Sequence, residues 1–118
     1  MQNGYVYINR DIEHWEWYKN ANTHRVFMHL LLTVNTEDGR YQGHVIKRGE
    51  TVTGRKALSL ALGLTESHVR TALNNLTKTG DISQKPTSKF TTITVCNWEY
   101  YNGGDDPENP EFNLSQEG

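Results

Sequence analysis

A predicted helix between residues 65 and 79 carries polar side chains whose chemistry suits nucleic-acid recognition. At 100° per residue, one stripe of this helix contains no carboxylate and consists of Ser67, Arg70, Thr71, Asn74 and Lys78. Guanidinium, amide and hydroxyl groups hydrogen-bond the edges of bases, and ammonium groups contact phosphates. We therefore predict that the first four residues read bases in the major groove and that Lys78 binds the DNA backbone. The alternative is an ordinary solvated helix face.

The opposite stripe of the same segment indicates how the helix is positioned. Its apolar residues follow the i, i+3, i+4, i+7 spacing of a face that packs on a core, and they are Val69, Ala72, Leu73 and Leu76. Thr65 is predicted to cap this helix, and Gly80 to end it.

A shorter helix is predicted just upstream, over residues 55–62, with Thr53 as its cap. Gly63 ends it and permits the left-handed backbone of a tight turn. Arg55 and Lys56 open this helix, where the helix dipole disfavours cations. Their position therefore favours phosphate contacts over a contribution to helix stability.

Two runs downstream, residues 81–85 and 90–96, predict a β-hairpin because the second is rich in Thr, Ile and Val. The side chains near its turn that suit a phosphate or minor-groove contact are Lys85, Ser88 and Lys89. Lysines at a turn are also commonly just solvated, so the turn alone does not decide between these readings.

Two helices, a tight turn and a hairpin in this order predict a winged helix-turn-helix of the α+β class, with a three-helix core and a two-stranded wing. The remaining helix of the core is predicted to begin at a cap, Asn22 or Thr23, and to run to about Val34. The other predicted elements are an extra N-terminal strand at 5–8, a short helix at 11–15, and extended pieces at 41–46 and 50–53.

Aromatic residues cluster near both ends of residues 1–102, and they are Trp15, Trp17, Tyr18, Trp98, Tyr100 and Tyr101. We predict that they pack one terminus against the other rather than stack on unpaired bases, because Lys19 is the only cation among them. Four other residues are candidates for contact with a protein partner: Tyr5, Tyr7, Met28 and Leu32.

Charge is distributed unevenly along the chain, although the formal net charge is only −2. Residues 40–89 contain nine Lys or Arg and three acidic residues, whereas residues 105–118 contain five acidic residues and no Lys or Arg. We therefore predict a DNA-binding domain at 1–102 and an acidic, flexible tail or linker at 103–118. Such a tail is expected to compete with DNA for the basic segment.

Other classes of function find no support in the sequence. The five histidines do not have zinc-helix spacing, the single cysteine, Cys96, provides no thiolate cluster, and no phosphate-binding glycine loop or nucleophile motif is present. We therefore expect no catalytic activity, metal or cofactor. The N-terminus has no signal-peptide pattern and the longest apolar run is too short to span a bilayer, so we expect a cytoplasmic protein that does not contact membranes.

Residues 4–102 closely resemble the N-terminal module of phage replisome organisers and DnaD-like primosome proteins. The segments that carry the resemblance are Trp15–Thr23, Val26–Leu32, Arg48–Thr53, Leu58–Leu64, Val69–Leu73, Thr79–Ile82 and Thr92–Asn97. The resemblance implies a winged-helix domain that binds DNA or other replication proteins, such as a helicase or its loader, often as an oligomer. Many members have a second, C-terminal domain, and no segment of that size follows Tyr101 here.

The sequence thus predicts a domain that binds duplex DNA during the initiation of phage or bacterial replication. Two alternatives use the same fold. One is a transcription regulator that binds a palindromic site as a symmetric dimer. The other is a protein–protein or self-assembly module of a primosome without strong affinity for DNA.

Overall fold

The computed structural model of the protein describes residues 4–102, in which helices alternate with short strands. The helices are a 3₁₀ helix (Arg10–His14), α1 (Ala21–Thr33), α2 (Arg55–Leu62), α3 (Glu66–Lys78) and α4 (Trp98–Tyr101). The strands are β1 (Gly39–Tyr41), β2 (His44–Ile46), β3 (Glu50–Val52), β4 (Ile82–Pro86) and β5 (Thr91–Val95). The described chain therefore has an α+β fold, and the predicted tail at 103–118 lies outside the described residues.

Helix α1 supplies one side of the core, because Val26, Phe27 and Leu30 are almost fully buried. The helix begins earlier than predicted. Asn20, not Asn22 or Thr23, is its N-cap, and the Asn20 side chain accepts a hydrogen bond from the Thr23 backbone N–H at 3.1 Å. Thr23 is buried instead.

Helices α2 and α3 are joined by the tight turn that Gly63 predicts. Gly63 has φ +68°, the left-handed conformation that ends α2. Thr65 caps α3 as predicted, since its side chain accepts a hydrogen bond from the His68 backbone N–H at 3.0 Å. The predicted cap of α2 is wrong: extended Gly54, rather than Thr53, occupies that position and leaves the helix without a side-chain cap. The predicted apolar stripe of α3 is its buried face.

Strands β4 and β5 form the predicted hairpin, and β3 extends it into a three-stranded antiparallel sheet in the order β3–β5–β4. Residues 41–46, predicted as one extended piece, instead lie in a second hairpin, β1–β2. Its turn is Gln42-Gly43, where both residues have positive φ (46° and 81°), as the twist of two-residue hairpins requires.

The two ends of the described chain pack on each other through aromatic rings, as predicted. The Phe27 ring lies 5.1 Å from the Trp15 ring and 5.7 Å from the Tyr101 ring. Helix α4, which supplies Tyr101, was not predicted. The predicted strand at 5–8 is wrong: only a single antiparallel bridge joins Val6 to Asn102, because the segment has no partner strand among the described residues. No helix within residues 4–102 combines the length and apolar character that a membrane crossing requires.

Candidate nucleic-acid interface

The polar stripe of α3 is exposed along its whole length. Its members, Ser67, Arg70, Thr71, Asn74 and Lys78, all project to solvent, while Val69, Ala72, Leu73 and Leu76 are buried on the opposite side. Within residues 4–102, no side chain of this stripe takes part in a hydrogen bond or an ion pair. The described ion pairs, Arg48–Glu99 and His14–Glu13, lie elsewhere. The stripe therefore presents free donors.

Helix α3 is held in place from its buried and flanking positions, so the stripe is not needed for packing. The Asn75 side-chain amide donates to the Thr23 hydroxyl of α1 at 3.0 Å. The Thr77 hydroxyl accepts from the Gln84 side chain of β4, also at 3.0 Å. These two contacts fix the rotation of α3 about its own axis relative to α1 and the hairpin, and with it the direction in which the stripe points.

Two of the predicted cations converge on one hollow. Arg55, at the start of α2, and Arg70, on α3, line a surface hollow of about 270 Å³ together with Asn74 and Gln84. The remaining lining residues are Gly54, Leu73 and Thr91, so the hollow contains no carboxylate. Because α2 lacks a side-chain cap, backbone N–H groups of its first turn also have no side-chain acceptor at this point. Such a hollow is chemically suited to an anion or to acceptors on a nucleic acid.

The β4–β5 hairpin contacts α3 through Gln84, a residue for which sequence analysis predicted no role. Side chains alternate between the two faces of a strand, and Gln84 reaches Thr77 of α3. Lys85, one residue further, therefore points to the other face, together with its partner Thr92. Lys85 thus does not lie on the surface formed by the α3 stripe.

The turn of this hairpin is exposed and internally hydrogen-bonded. The Thr87 backbone N–H donates to the Phe90 carbonyl at 2.7 Å, and the Thr87 hydroxyl accepts from the Lys89 and Phe90 backbone N–H groups at 3.2 and 3.0 Å. Ser88 and Lys89 are exposed on this closed turn, and neither side chain has a partner within residues 4–102. Lys56, at the start of α2, is likewise exposed and unpaired there.

Gln84 is the residue at the hollow that sequence analysis missed. The signal was available, because Ile82 is a clear core residue and the strand period of two places residue 84 on the same side as residue 82. The pattern does not show, however, that the face of the hairpin that packs on the core is also the face that contacts α3.

The four residues predicted to contact a protein partner divide into two pairs. Tyr5 and Leu32 are 70% and 64% exposed. Met28 and Tyr7 are half-buried. Met28 packs against the core cluster, and the Tyr7 backbone N–H donates to the Tyr101 carbonyl at 2.8 Å.

Two observations concern the titratable groups of residues 4–102. Among residues 4–102, no group of three or more His, Cys, Asp or Glu side chains is arranged to hold a metal ion. Burial, with smaller contributions from Asp81 and Tyr100, raises the pKa of the Tyr101 phenol above its usual value. That group belongs to the aromatic packing between the chain ends, because its ring contacts Phe27.

Comparison with known proteins adds no relative: no protein-family model matches the chain, and no curated protein matches it in sequence. The assignment of function therefore depends on the side chains and geometry described above.

Proposed function

We propose that residues 4–102 are a winged helix-turn-helix domain that binds duplex DNA. Helix α3 enters the major groove, and the β4–β5 hairpin is the wing that contacts the backbone. The observation that carries the proposal is the α3 stripe, which is exposed, free of carboxylates and unpaired within the described residues. Solvated helix faces usually mix charges of both signs, and this one does not.

The geometry around the stripe supports the same mode of binding. In helix-turn-helix docking, the second helix reads bases and the first crosses the backbone. Arg70 and Asn74 are positioned on the second helix to pair with guanine and adenine, whereas Arg55 and Lys56, at the start of the first, contact phosphates. Lys78, Ser88 and Lys89 add backbone contacts at the two ends of this surface.

The biological role that we propose is the initiation of DNA replication in a phage or a bacterium. It is supported by the resemblance of residues 4–102 to phage replisome organisers and DnaD-like proteins. In this role the domain acts in the cytoplasm and works with a helicase or its loader. A transcription regulator has the same DNA-binding surface. The discriminating observation is the genomic neighbourhood, which contains helicase or loader genes in the first case and a divergent promoter in the second.

Replacement of the base-reading residues tests the proposal. A preferred duplex is first selected from a random pool, and its affinity is compared with that of an unrelated duplex. Arg70→Ala and Asn74→Ala are each expected to reduce the preference by about 1–3 kcal/mol, roughly 5- to 150-fold, because each removes a bidentate base contact. The matched control is Arg25→Ala, an exposed arginine on α1. Variants that retain the full preference would show that α3 does not read the sequence.

A protein-binding module is the second candidate, and the exposure of Leu32 and Tyr5 favours it. In this case the same domain assembles with itself or with a replication protein through apolar side chains. Sedimentation of the wild type and of Leu32→Ser over a range of concentrations distinguishes the two candidates. Self-association that is lost in Leu32→Ser, from a protein without duplex affinity at low salt, would replace the DNA-binding proposal.

A further inference from the structure

The β1–β2 hairpin packs against the turn of the β4–β5 hairpin through three rings. Phe90, which directly precedes β5, has its ring centroid 5.1 Å from that of Tyr41 and 5.1 Å from that of His44, both in edge-to-face geometry. Such pairs stabilise beyond the area that they bury. The turns of the two hairpins are therefore neighbours, and each is held in position by the other.

This contact lies on the face of the sheet that points away from α3. Phe90 is two residues from Thr92, and Lys85 is the strand partner of Thr92, so strand alternation places Phe90 and Lys85 on the same face. Gln84, on the opposite face, contacts α3. The two hairpin turns thus form a surface that is separate from the α3 stripe. The two surfaces meet only at the turn formed by residues 87–90.

The surface is positively charged and has no compensating acid. Residues 40–44 and 85–90, which we call the double-hairpin tip, contain Arg40, Lys85 and Lys89 and no Asp or Glu. All three cations are exposed, and none has an ion pair within residues 4–102. The Arg40 guanidinium donates only to the Gly43 carbonyl, at 3.3 Å, which holds it at the turn without neutralising it.

Two acids close to the tip in sequence, Asp38 and Glu50, are engaged elsewhere, whereas Glu37 is exposed. The Asp38 carboxylate accepts from the Arg48 backbone N–H at 2.9 Å. The Glu50 carboxylate accepts from the Lys47 backbone N–H at 2.8 Å and from the Thr94 hydroxyl at 3.1 Å. Both carboxylates thus bind the loop between β2 and β3, Glu50 also binds β5, and within residues 4–102 neither pairs with a cation of the tip.

We propose that the double-hairpin tip is a second DNA-binding surface, which contacts the sugar–phosphate backbone of the same duplex beyond the segment contacted by α3. The proposal rests on the proposed function and extends it, because it assigns Arg40 and the β1–β2 hairpin, which the winged-helix reading leaves unused. Exposed cations that have no ion-pair partner within residues 4–102 are suited to bind phosphates, and such contacts carry no base specificity. Ring packing reduces the entropy that the cations lose on binding, since the two turns are already ordered.

The salt dependence of duplex binding in the full-length protein tests this surface. Affinity falls with salt, and each lost phosphate contact reduces the magnitude of the slope of log affinity against log salt by about 0.9. Arg40→Gln is expected to reduce that magnitude by about this amount while leaving the preference for a selected site unchanged. The matched control is Arg10→Gln, an exposed arginine next to Asp11 and close to Glu13, which is expected to leave the slope as in wild type.

Hydroxyl-radical footprinting on a duplex longer than one helical turn provides a second readout. The wild type is expected to protect a backbone segment that the double variant Arg40→Gln, Lys85→Gln leaves open to cleavage, with protection around the α3 site retained. An unchanged slope in Arg40→Gln, or an equal loss in Arg10→Gln, would overturn the second surface while the α3 proposal stands. A loss restricted to single-stranded DNA would do the same. A wild type without duplex affinity would overturn the proposed function itself.

Discussion

Some residues of α3 stabilise the fold, and others are the ones that we propose contact DNA. Glu66, the only acidic residue in the sequence of α3, lies in its first turn, where the helix dipole favours a negative charge. Asn75 and Thr77 use their side chains to fix α3 to α1 and β4. The side chains of Arg70 and Asn74 make no hydrogen bond or ion pair within the described residues. Their replacement should therefore affect binding far more than stability.

Gly49 supports the sheet behind the interface, and its replacement should be costly. It has φ +80°, and an added Cβ would lie 2.8 Å from the Trp98 Cβ. Gly49→Ala combines left-handed strain, about 1–2 kcal/mol, with overpacking of about 1–3 kcal/mol. Urea unfolding of Gly49→Ala should therefore show a loss of about 2–5 kcal/mol in the free energy of unfolding.

Gly43→Ala is the matched control for this measurement. Gly43 has nearly the same φ, +81°, but an added Cβ meets no atom within 4 Å. Gly43→Ala should therefore lose only the strain contribution of about 1–2 kcal/mol. Equal losses in the two variants would contradict the close approach of Gly49 to Trp98.

Whether a residue is exposed or buried was predictable where the helical period alone determines it. The helical period alone exposes Arg70 and Asn74 and buries Val69 and Leu73, and the structure confirms both. The face of the hairpin on which Lys85 lies was not predicted, because it depends on which side of the strand meets α3, and that contact is tertiary. Nothing local to residues 84 and 85 distinguishes the two faces.

Among the elements, the N-terminal segment is anchored to the end of α3 by a small polar network. The Trp17 indole N–H donates to the Thr79 hydroxyl at 3.0 Å, and that hydroxyl donates to the Asp81 carboxylate at 2.5 Å. The Trp15 indole N–H donates to the same carboxylate at 3.2 Å. This network ties the aromatic packing of the chain ends to the helix that we propose reads DNA.

Thr79→Val should loosen this anchor without affecting recognition. Valine keeps the shape but leaves the half-buried Trp17 N–H without its acceptor, which costs about 1–3 kcal/mol. Urea unfolding followed by tryptophan fluorescence measures the loss, and duplex affinity at temperatures where the variant is folded should equal that of wild type. Thr33→Val, an exposed hydroxyl on α1, should change stability by at most about 0.5 kcal/mol. A Thr79→Val loss no larger than the control would contradict the anchor.

Elements with strong local signals were predicted, and those that depend on distant partners were not. Gly63 predicts the end of α2, and Thr65 predicts the start of α3. The run rich in Thr in β5 predicts the hairpin. Residues 5–8 have the composition of a strand but find no partner strand among residues 4–102, and only Val6 pairs. Helix α4 has four residues and depends on burial of Trp98, which no local pattern reveals.

Across the whole molecule, the asymmetry of charge has a consequence for DNA binding. The net charge of residues 40–89 is +6, and residues 105–118 contain five acids and no Lys or Arg. Changing those acids to amides in the full-length chain removes a competitor for the basic surface. Duplex affinity should therefore rise at low salt and approach that of wild type as the Debye length shortens, from about 30 Å at 0.01 M to about 10 Å at 0.1 M. Equal affinity at low salt would show that these acids do not compete.

The most direct test of the account is fluorescence anisotropy of the wild-type protein with a random duplex and a matched single strand at low and moderate salt. Because we propose that α3 enters the major groove and that the hairpin contacts the backbone, we expect salt-sensitive binding with a preference for the duplex. A folded, monodisperse protein that binds neither DNA would contradict the central claim and would make the exposed Leu32 and Tyr5 the next surface to investigate.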